Sequence, residues 1–216
     1  MNTIISFNIC PFVQRSIINM NYKKIPYKVK YIDLANPPEW FLNISPLGKV
    51  PVLQVGDEII FESAVINEYI DDTNAPSLFP ADALKKAQER SFIELTSVVT
   101  MDFYQASMAQ TKEDFISLKE TFEKNLSTLL TKYQGPYFRG DEFSLVDTSA
   151  IPMMHRLFLM PHFNDALNLT PDLREKLTRW SDLTLAMDAV KKSVPDTFEE
   201  DMNTYLSNGN SYIHAN

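Results

Sequence analysis

Residues 3–20 read T-I-I-S-F-N-I-C-P-F-V-Q-R-S-I-I-N-M, and the change of pattern inside that stretch decides the fold. Thr3 to Phe7 is a short β-type run. Cys10-Pro11 ends it, and beyond the proline Val13, Ile17 and Met20 fall on one helical face while Phe12, Ser16 and Asn19 share another. Strand, turn and helix are expected in that order. Tyr27 to Ile32 then alternates Tyr27, Val29 and Tyr31 with Lys28 and Lys30, the two-residue period of a half-buried strand. After the turn-rich Asn36-Pro37-Pro38 a short helix is expected over Glu39 to Asn43. Val50 to Val55, Gly56-Asp57 and Glu58 to Phe61 read as two strands joined by a tight hairpin. Helical spacing resumes after Ser63 through Val65, Ile66, Tyr69 and Ile70.

The order βαβ, α, ββα predicts a mixed α/β domain of the thioredoxin-like kind. Thr73 to Pro80, with Asn74, Pro76, Ser77 and Pro80, is the linker candidate, which divides the chain into domains 1–76 and 77–216. Beyond it every periodic segment is helical, so the second domain is expected to be all-α. Phe115, Leu118, Phe122, Leu126, Leu129, Leu130 and Tyr133 form one apolar stripe at spacings of three and four. Thr170-Pro171 reads as an N-cap followed by a first-turn proline, Pro195 as the stop of the Leu177 to Val194 region, and Asp196 to Leu206 as a last helix. The tail N-G-N-S-Y-I-H-A-N is expected to be loosely held.

Composition excludes several function classes. A net charge of −8 repels polyanions, and neither residues 1–76 (6 basic, 8 acidic) nor the remainder (14 basic, 20 acidic) offers a basic patch, so nucleic acid is not an expected partner. The single cysteine, Cys10, rules out an internal disulfide and a cysteine-rich zinc module. His155 and His162 lie in an apolar stretch and His214 in the tail, without metal-ligand spacing, so no metal is expected. The first ten residues lack the basic and apolar regions of a secretory signal, and no run approaches the ~20 apolar residues of a membrane span. A reducing, cytoplasmic setting is expected, without membrane association.

The chemistry-bearing residues cluster at element ends. Cys10 falls at the N-cap of the first helix, where the dipole and free N–H groups favour a thiolate, lowering a thiol from ~8.5 to between ~3.5 and ~7.5. A buried structural cysteine is the alternative. Val13 occupies the place of a resolving cysteine, so a redox cycle through Cys10 borrows its second thiol from another molecule. Val50-Pro51 is either a cis bond, which in this architecture exposes the backbone of Val50 to a peptide ligand, or a trans proline that starts a strand. Glu62 and the expected N-cap Ser63 together suit an α-amino acid head group, the carboxylate at the helix start and the ammonium on Glu62. Ser144 to Asp147 has the spacing of a structural helix cap. Met101, Phe103, Tyr104 and Met108 read as core packing or as the lining of an apolar pocket.

C-P-F-V-Q-R, N-I-S-P-L-G-K-V-P-V-L and F-E-S-A-V-I-N-E-Y-I-D-D, followed by an all-helical region containing S-L-V-D, resemble the glutathione transferase family over nearly the whole chain. C-P-F-x-Q-R with P-E-W-F resembles its omega-like, cysteine-type branch. The resemblance implies glutathione as co-substrate, Cys10 as the catalytic thiol and Phe12 in the glutathione site. It also implies that Val50 pairs its backbone with the cysteinyl amide beside a cis Pro51, and that Glu62 and Ser63 hold the γ-glutamyl head. Where omega relatives commonly carry a lysine before P-E-W-F this chain has Pro37, and the glycyl carboxylate is expected on Lys49. Met101, Tyr104 and Met108 are the expected co-substrate pocket. The implied activity is glutathione-dependent thiol-disulfide exchange, of thioltransferase or dehydroascorbate-reductase type, in a homodimer. Conjugation to small electrophiles is the enzymatic alternative. Noncatalytic relatives of the stringent-starvation kind lack a cysteine at the helix start, and the chloride-channel relatives that share C-P-F need a membrane-spanning stretch.

Overall fold

The structure, a computed structural model, describes residues 2–215. Its first part runs β1 (Asn2–Ser6), α1 (Pro11–Tyr22), β2 (Tyr27–Tyr31), α2 (Glu39–Ile44), β3 (Val52–Val55), β4 (Glu58–Phe61) and α3 (Ser63–Thr73). The sheet order is β2-β1-β3-β4, with β1 parallel to β2 and antiparallel to β3, and β3 antiparallel to β4. Successive strand side chains point to opposite faces, so neighbours along β1 and β3 serve different cores. Ile4 and Leu53 pack with Val13, Ile17 and Met20 of α1 and with Ile66 and Ile70 of α3. Ile5 and Val52 pack on the other face with Phe41 of α2. This is the expected thioredoxin-like arrangement. Strand β3 starts at Val52, later than the sequence pattern suggests, because Pro51 has no N–H to give to a ladder.

Residues 74–82 carry no helix or strand and are tied to the end of α1. Lys23 Nζ lies 2.7 Å from Asp71, both side chains being buried. Asp71 also accepts from Ser77 Oγ (2.6 Å) and Leu78 N (2.8 Å). Helices follow: α4 (Ala83–Ser107), α5 (Lys112–Leu130), α6 (Leu145–Phe158), α7 (Pro161–Asp165), α8 (Pro171–Leu185), α9 (Asp188–Lys191), α10 (Phe198–Asn208) and α11 (Tyr212–Ala215). Helix α6 is the centre, buried at every position from Leu145 to Met154. Phe115, Phe122, Leu126, Leu129 and Leu130 of α5 join the same core. The start of α6 is capped as its sequence suggests: Ser144 and Asp147 bond reciprocally to each other's backbone N–H. Among the described residues no helix is long and apolar enough to cross a membrane.

The first helix is buried more widely than its apolar face, and two local expectations are corrected. Helix α1 packs on α6 as well as on the sheet, so its polar face is buried too, with Ser16 and Asn19 at 0% exposure. Asn19 Nδ2 meets that burial by donating to Asn67 O at 3.1 Å. Helix α8 stops at Leu185, and the region up to Val194 holds the short α9 instead of continuing. The tail is docked at Ser211 and Tyr212: Tyr212 N donates to Ala109 O (2.7 Å), Ser211 Oγ donates to Ser107 O (2.5 Å), and the Tyr212 ring lies 5.9 Å from that of Phe115.

Candidate active site

The β1–α1 connection places Cys10 at the N-cap of α1, with Pro11 in the first helical position. Cys10 N donates to Phe7 O (3.0 Å) and its carbonyl accepts from Gln14 N (3.1 Å), which fixes the turn. Its Sγ lies 3.9 Å from the carbonyl oxygen of Val50. The structure sets an opposing factor against the expected depressed thiol pKa. Burial pushes the thiol up, and the backbone N–H groups of Val13 and Phe12 with the charges of Arg156 and Arg15 pull it down without overcoming that burial. The helix-terminus effect is present; the desolvation opposing it is a tertiary quantity.

Two cavities meet at this turn. Phe12, Lys49, Val50, Pro51, Glu62 and Ser63 line one of about 380 Å³. Cys10, Met101, Tyr104 and Met108 line a second of about 470 Å³. Phe12, Lys49 and Met101 border both. The Val50–Pro51 peptide is cis. Phe103 serves both readings of its cluster: it borders the second cavity and stacks in the helical core on Phe163 at 5.2 Å. Across that cavity Tyr104 Oη of α4 lies 3.0 Å from Tyr205 Oη of α10, whose pKa burial and Tyr104 push up to about 12.

At the strand-to-helix corner the structure corrects the capping assignment. Glu62 is the N-cap, in a left-handed conformation (φ 67°, ψ 114°) that costs a non-glycine residue ~1–3 kcal/mol, and Ser63 is the first helical residue. The Ser63 hydroxyl is already engaged: Arg15 Nε donates to Ser63 Oγ at 2.9 Å. Arg15 also donates from Nη1 to Ser97 Oγ (3.1 Å) and lies 4.9 Å from the centre of the Phe12 ring. Burial brings its pKa down to about 10, against the charges of Glu94, Cys10 and Glu62, so it stays protonated at neutral pH.

Sequence reasoning missed Arg15 and a second buried guanidinium, Arg156 of α6, 5% and 4% exposed. Arg156 donates to Gln14 Oε1 (2.6 Å), Pro152 O (2.7 Å) and Ile9 O (2.8 Å). Gln14 Nε2 in turn donates to His155 Nδ1 and Ser193 Oγ, both at 3.0 Å. Burial and the Arg156 charge hold the His155 pKa down to about 4, so it is a neutral acceptor rather than a base poised near 7. The available signal was the Q-R pair on a helix whose neighbouring positions are apolar. Among the described residues, no group of three or more His, Cys, Asp or Glu side chains could hold a metal ion.

Comparison with known proteins agrees with this arrangement. Residues 9–73 match the family described as "Glutathione S-transferase, N-terminal domain". The chain is 35% identical over 176 residues to glutathione S-transferase omega-1 of Sus scrofa, covering 79% of this chain and 73% of that protein. It is 32% identical over 216 residues to the omega-1 enzyme of Mus musculus, covering 97% and 85%. The crystal structure of glutathione transferase Omega 3C from Trametes versicolor superposes with a TM-score of 0.80 at 26% identity, covering 96% of this chain and 91% of that one. With one thiol at the start of α1 and relatives of this likeness along nearly its whole length, the chain belongs to the glutathione S-transferase family, in its omega-like, cysteine-type branch.

Proposed function

We propose that the protein catalyses glutathione-dependent thiol-disulfide exchange through Cys10. The observation that carries this reading is the position of the sole thiol, which borders the second cavity beside the shared residues Phe12 and Lys49. In the proposed cycle the Cys10 thiolate attacks the glutathionyl sulfur of a mixed disulfide, forming Cys10–S–S–glutathione and expelling the substrate thiolate, which is then protonated. A second glutathione thiolate attacks that bond, releasing oxidised glutathione and regenerating the Cys10 thiolate. With Val13 at the resolving position, no intramolecular disulfide competes.

Residues 1–76 form the glutathione-binding unit in this reading and 77–216 the helical unit that supplies the co-substrate wall. Val50 offers its backbone to the cysteinyl amide next to Pro51, Phe12 packs on the tripeptide, and Lys49 takes the glycyl carboxylate in the absence of a lysine where Pro37 stands. Glu62 and Ser63 hold the γ-glutamyl head, with Arg15 orienting the Ser63 hydroxyl. Met101, Tyr104 and Met108 face a small electrophile or disulfide. Ser63→Ala removes a hydrogen bond to a charged group, worth about 1.5–3 kcal/mol or roughly 10 to 150-fold in glutathione affinity. Calorimetry measures it; unchanged affinity in a folded variant moves the γ-glutamyl site elsewhere.

Dimerisation belongs to the same proposal. Val65 of α3 and Leu84 and Val98 of α4 are 54%, 69% and 48% exposed, an apolar set that pairing across a two-fold axis covers. Sedimentation at micromolar concentration is expected to give about twice the 24.8 kDa chain mass, and a clean monomer contradicts it. One observation favours a second reading. A thiol kept protonated by burial is suited to donate a hydrogen bond to a glutathione thiolate, the role a conjugating enzyme needs.

A further inference from the structure

The two buried guanidinium groups beside Cys10 differ in their charge partners. Arg15 hydrogen-bonds to the neutral hydroxyls of Ser63 and Ser97, and the charges of Glu94 and Glu62 act on it from beyond ion-pair distance. Arg156 is 4% exposed, yet its hydrogen-bond partners are all neutral: the Gln14 amide and the carbonyls of Pro152 and Ile9. The ring of Phe198 lies 5.0 Å away. Among the described residues it forms no ion pair, and the carboxylate that α10 brings to this loop, Asp201, accepts from Asn8 Nδ2 (2.9 Å) and Thr197 Oγ1 (2.8 Å) instead. A buried charge without a counter-charge is costly, and such groups are normally paired or neutralised. Arg156 is not neutralised: burial brings its pKa down only to about 10, with Cys10 the group that favours its charge.

We propose that Arg156 is the counter-charge awaiting the Cys10 thiolate, a positioning residue that borders the same cavity and grips the carbonyl of the residue just before the cysteine. While Cys10 is a thiol the guanidinium is uncompensated; when Cys10 loses its proton, or leaves its mixed disulfide as the thiolate, the pair is completed. This rests on Cys10 being the reacting thiol. The other ionisable groups around it are Arg15 from α1, exposed Lys49 ahead of β3, and the hydroxyls of Tyr104 and Tyr205 from α4 and α10. Of these, Arg156 is the buried cation that no carboxylate stabilises, whereas Arg15 feels Glu94 and Glu62.

The test is the rate of Cys10 alkylation by iodoacetamide against pH, read by intact mass, which the single cysteine makes unambiguous. Arg156→Met is expected to raise the ionisation midpoint by at least about one pH unit, the low end of what a nearby opposite charge does, slowing alkylation about tenfold below the midpoint. Arg156→Lys keeps the charge and is expected to stay near wild type. Equal midpoints in wild type and folded Arg156→Met, or an equal rise in the Met and Lys variants, overturn the proposal and leave Arg156 a packing residue. If Arg156→Met does not fold, Arg156→Gln, which keeps amide donors for the neighbouring carbonyls, takes its place; a raised midpoint supports the pairing and an unchanged one overturns it. Glutathione takes no part in this readout, so its outcome is independent of whether the exchange cycle holds.

Discussion

Cys10→Ser is expected to reduce turnover of a small glutathione mixed disulfide to background, because serine has no sulfur with which to form the intermediate. Conjugation to an aromatic halide is expected to persist or rise in the same variant, since a hydroxyl still donates to a glutathione thiolate. The two roles open to Cys10 therefore separate in one protein and two assays. Retained disulfide reduction in Cys10→Ser overturns the exchange mechanism and leaves the donor role. The raised thiol pKa makes the comparison informative, because burial of the thiol favours the donor role while the position of the sole thiol favours exchange.

Asp147→Ala is expected to cost about 3–5 kcal/mol of folding stability, a large fraction of the ~5–15 kcal/mol that holds a typical domain. The Asp147 carboxylate is fully buried and accepts from Phe138 N and Trp180 Nε1 at 2.8 Å on one oxygen. The other oxygen accepts from Ser144 N (2.8 Å) and Ser144 Oγ (2.6 Å). Alanine leaves four donors without an acceptor at the start of the central helix, each worth ~1–3 kcal/mol if it finds no water. Urea unfolding followed by far-UV circular dichroism measures the loss, and a change below about 1 kcal/mol contradicts the account. Asp147→Asn, which keeps one carbonyl acceptor, is expected to fall between alanine and wild type.

The first part of the chain is legible because its signals are local. Ile4 and Ile5 side by side serve two faces of one strand, Cys10-Pro11 sets a helix start, and Gly56, at φ 62°, makes the hairpin turn between β3 and β4. The β-sheet side of the first cavity is lined from three motifs in chain order, while Glu94, Ser97 and Met101 reach it from α4. What local pattern does not carry is how elements meet. The burial of Ser16 and Asn19 on a second face of α1 is not written in the local pattern, and Tyr205 has no visible relation to Tyr104 until α10 folds back over α4. Arg15 and Arg156 read as surface charges by residue type, since buried guanidinium groups depend on acceptors that tertiary contact supplies. The thiol pKa is misjudged for the same reason: the helix terminus is written in the sequence, but the packing around the sulfur is not.

Incubation of the reduced wild-type protein with oxidised glutathione, followed by weighing the intact chain, tests the central claim most directly. The exchange mechanism predicts one adduct of about 305 Da, located on Cys10 and removed by a reductant, as the Cys10 thiolate displaces one glutathione thiolate from the disulfide. A chain that keeps its unmodified mass of 24.8 kDa after that incubation contradicts it.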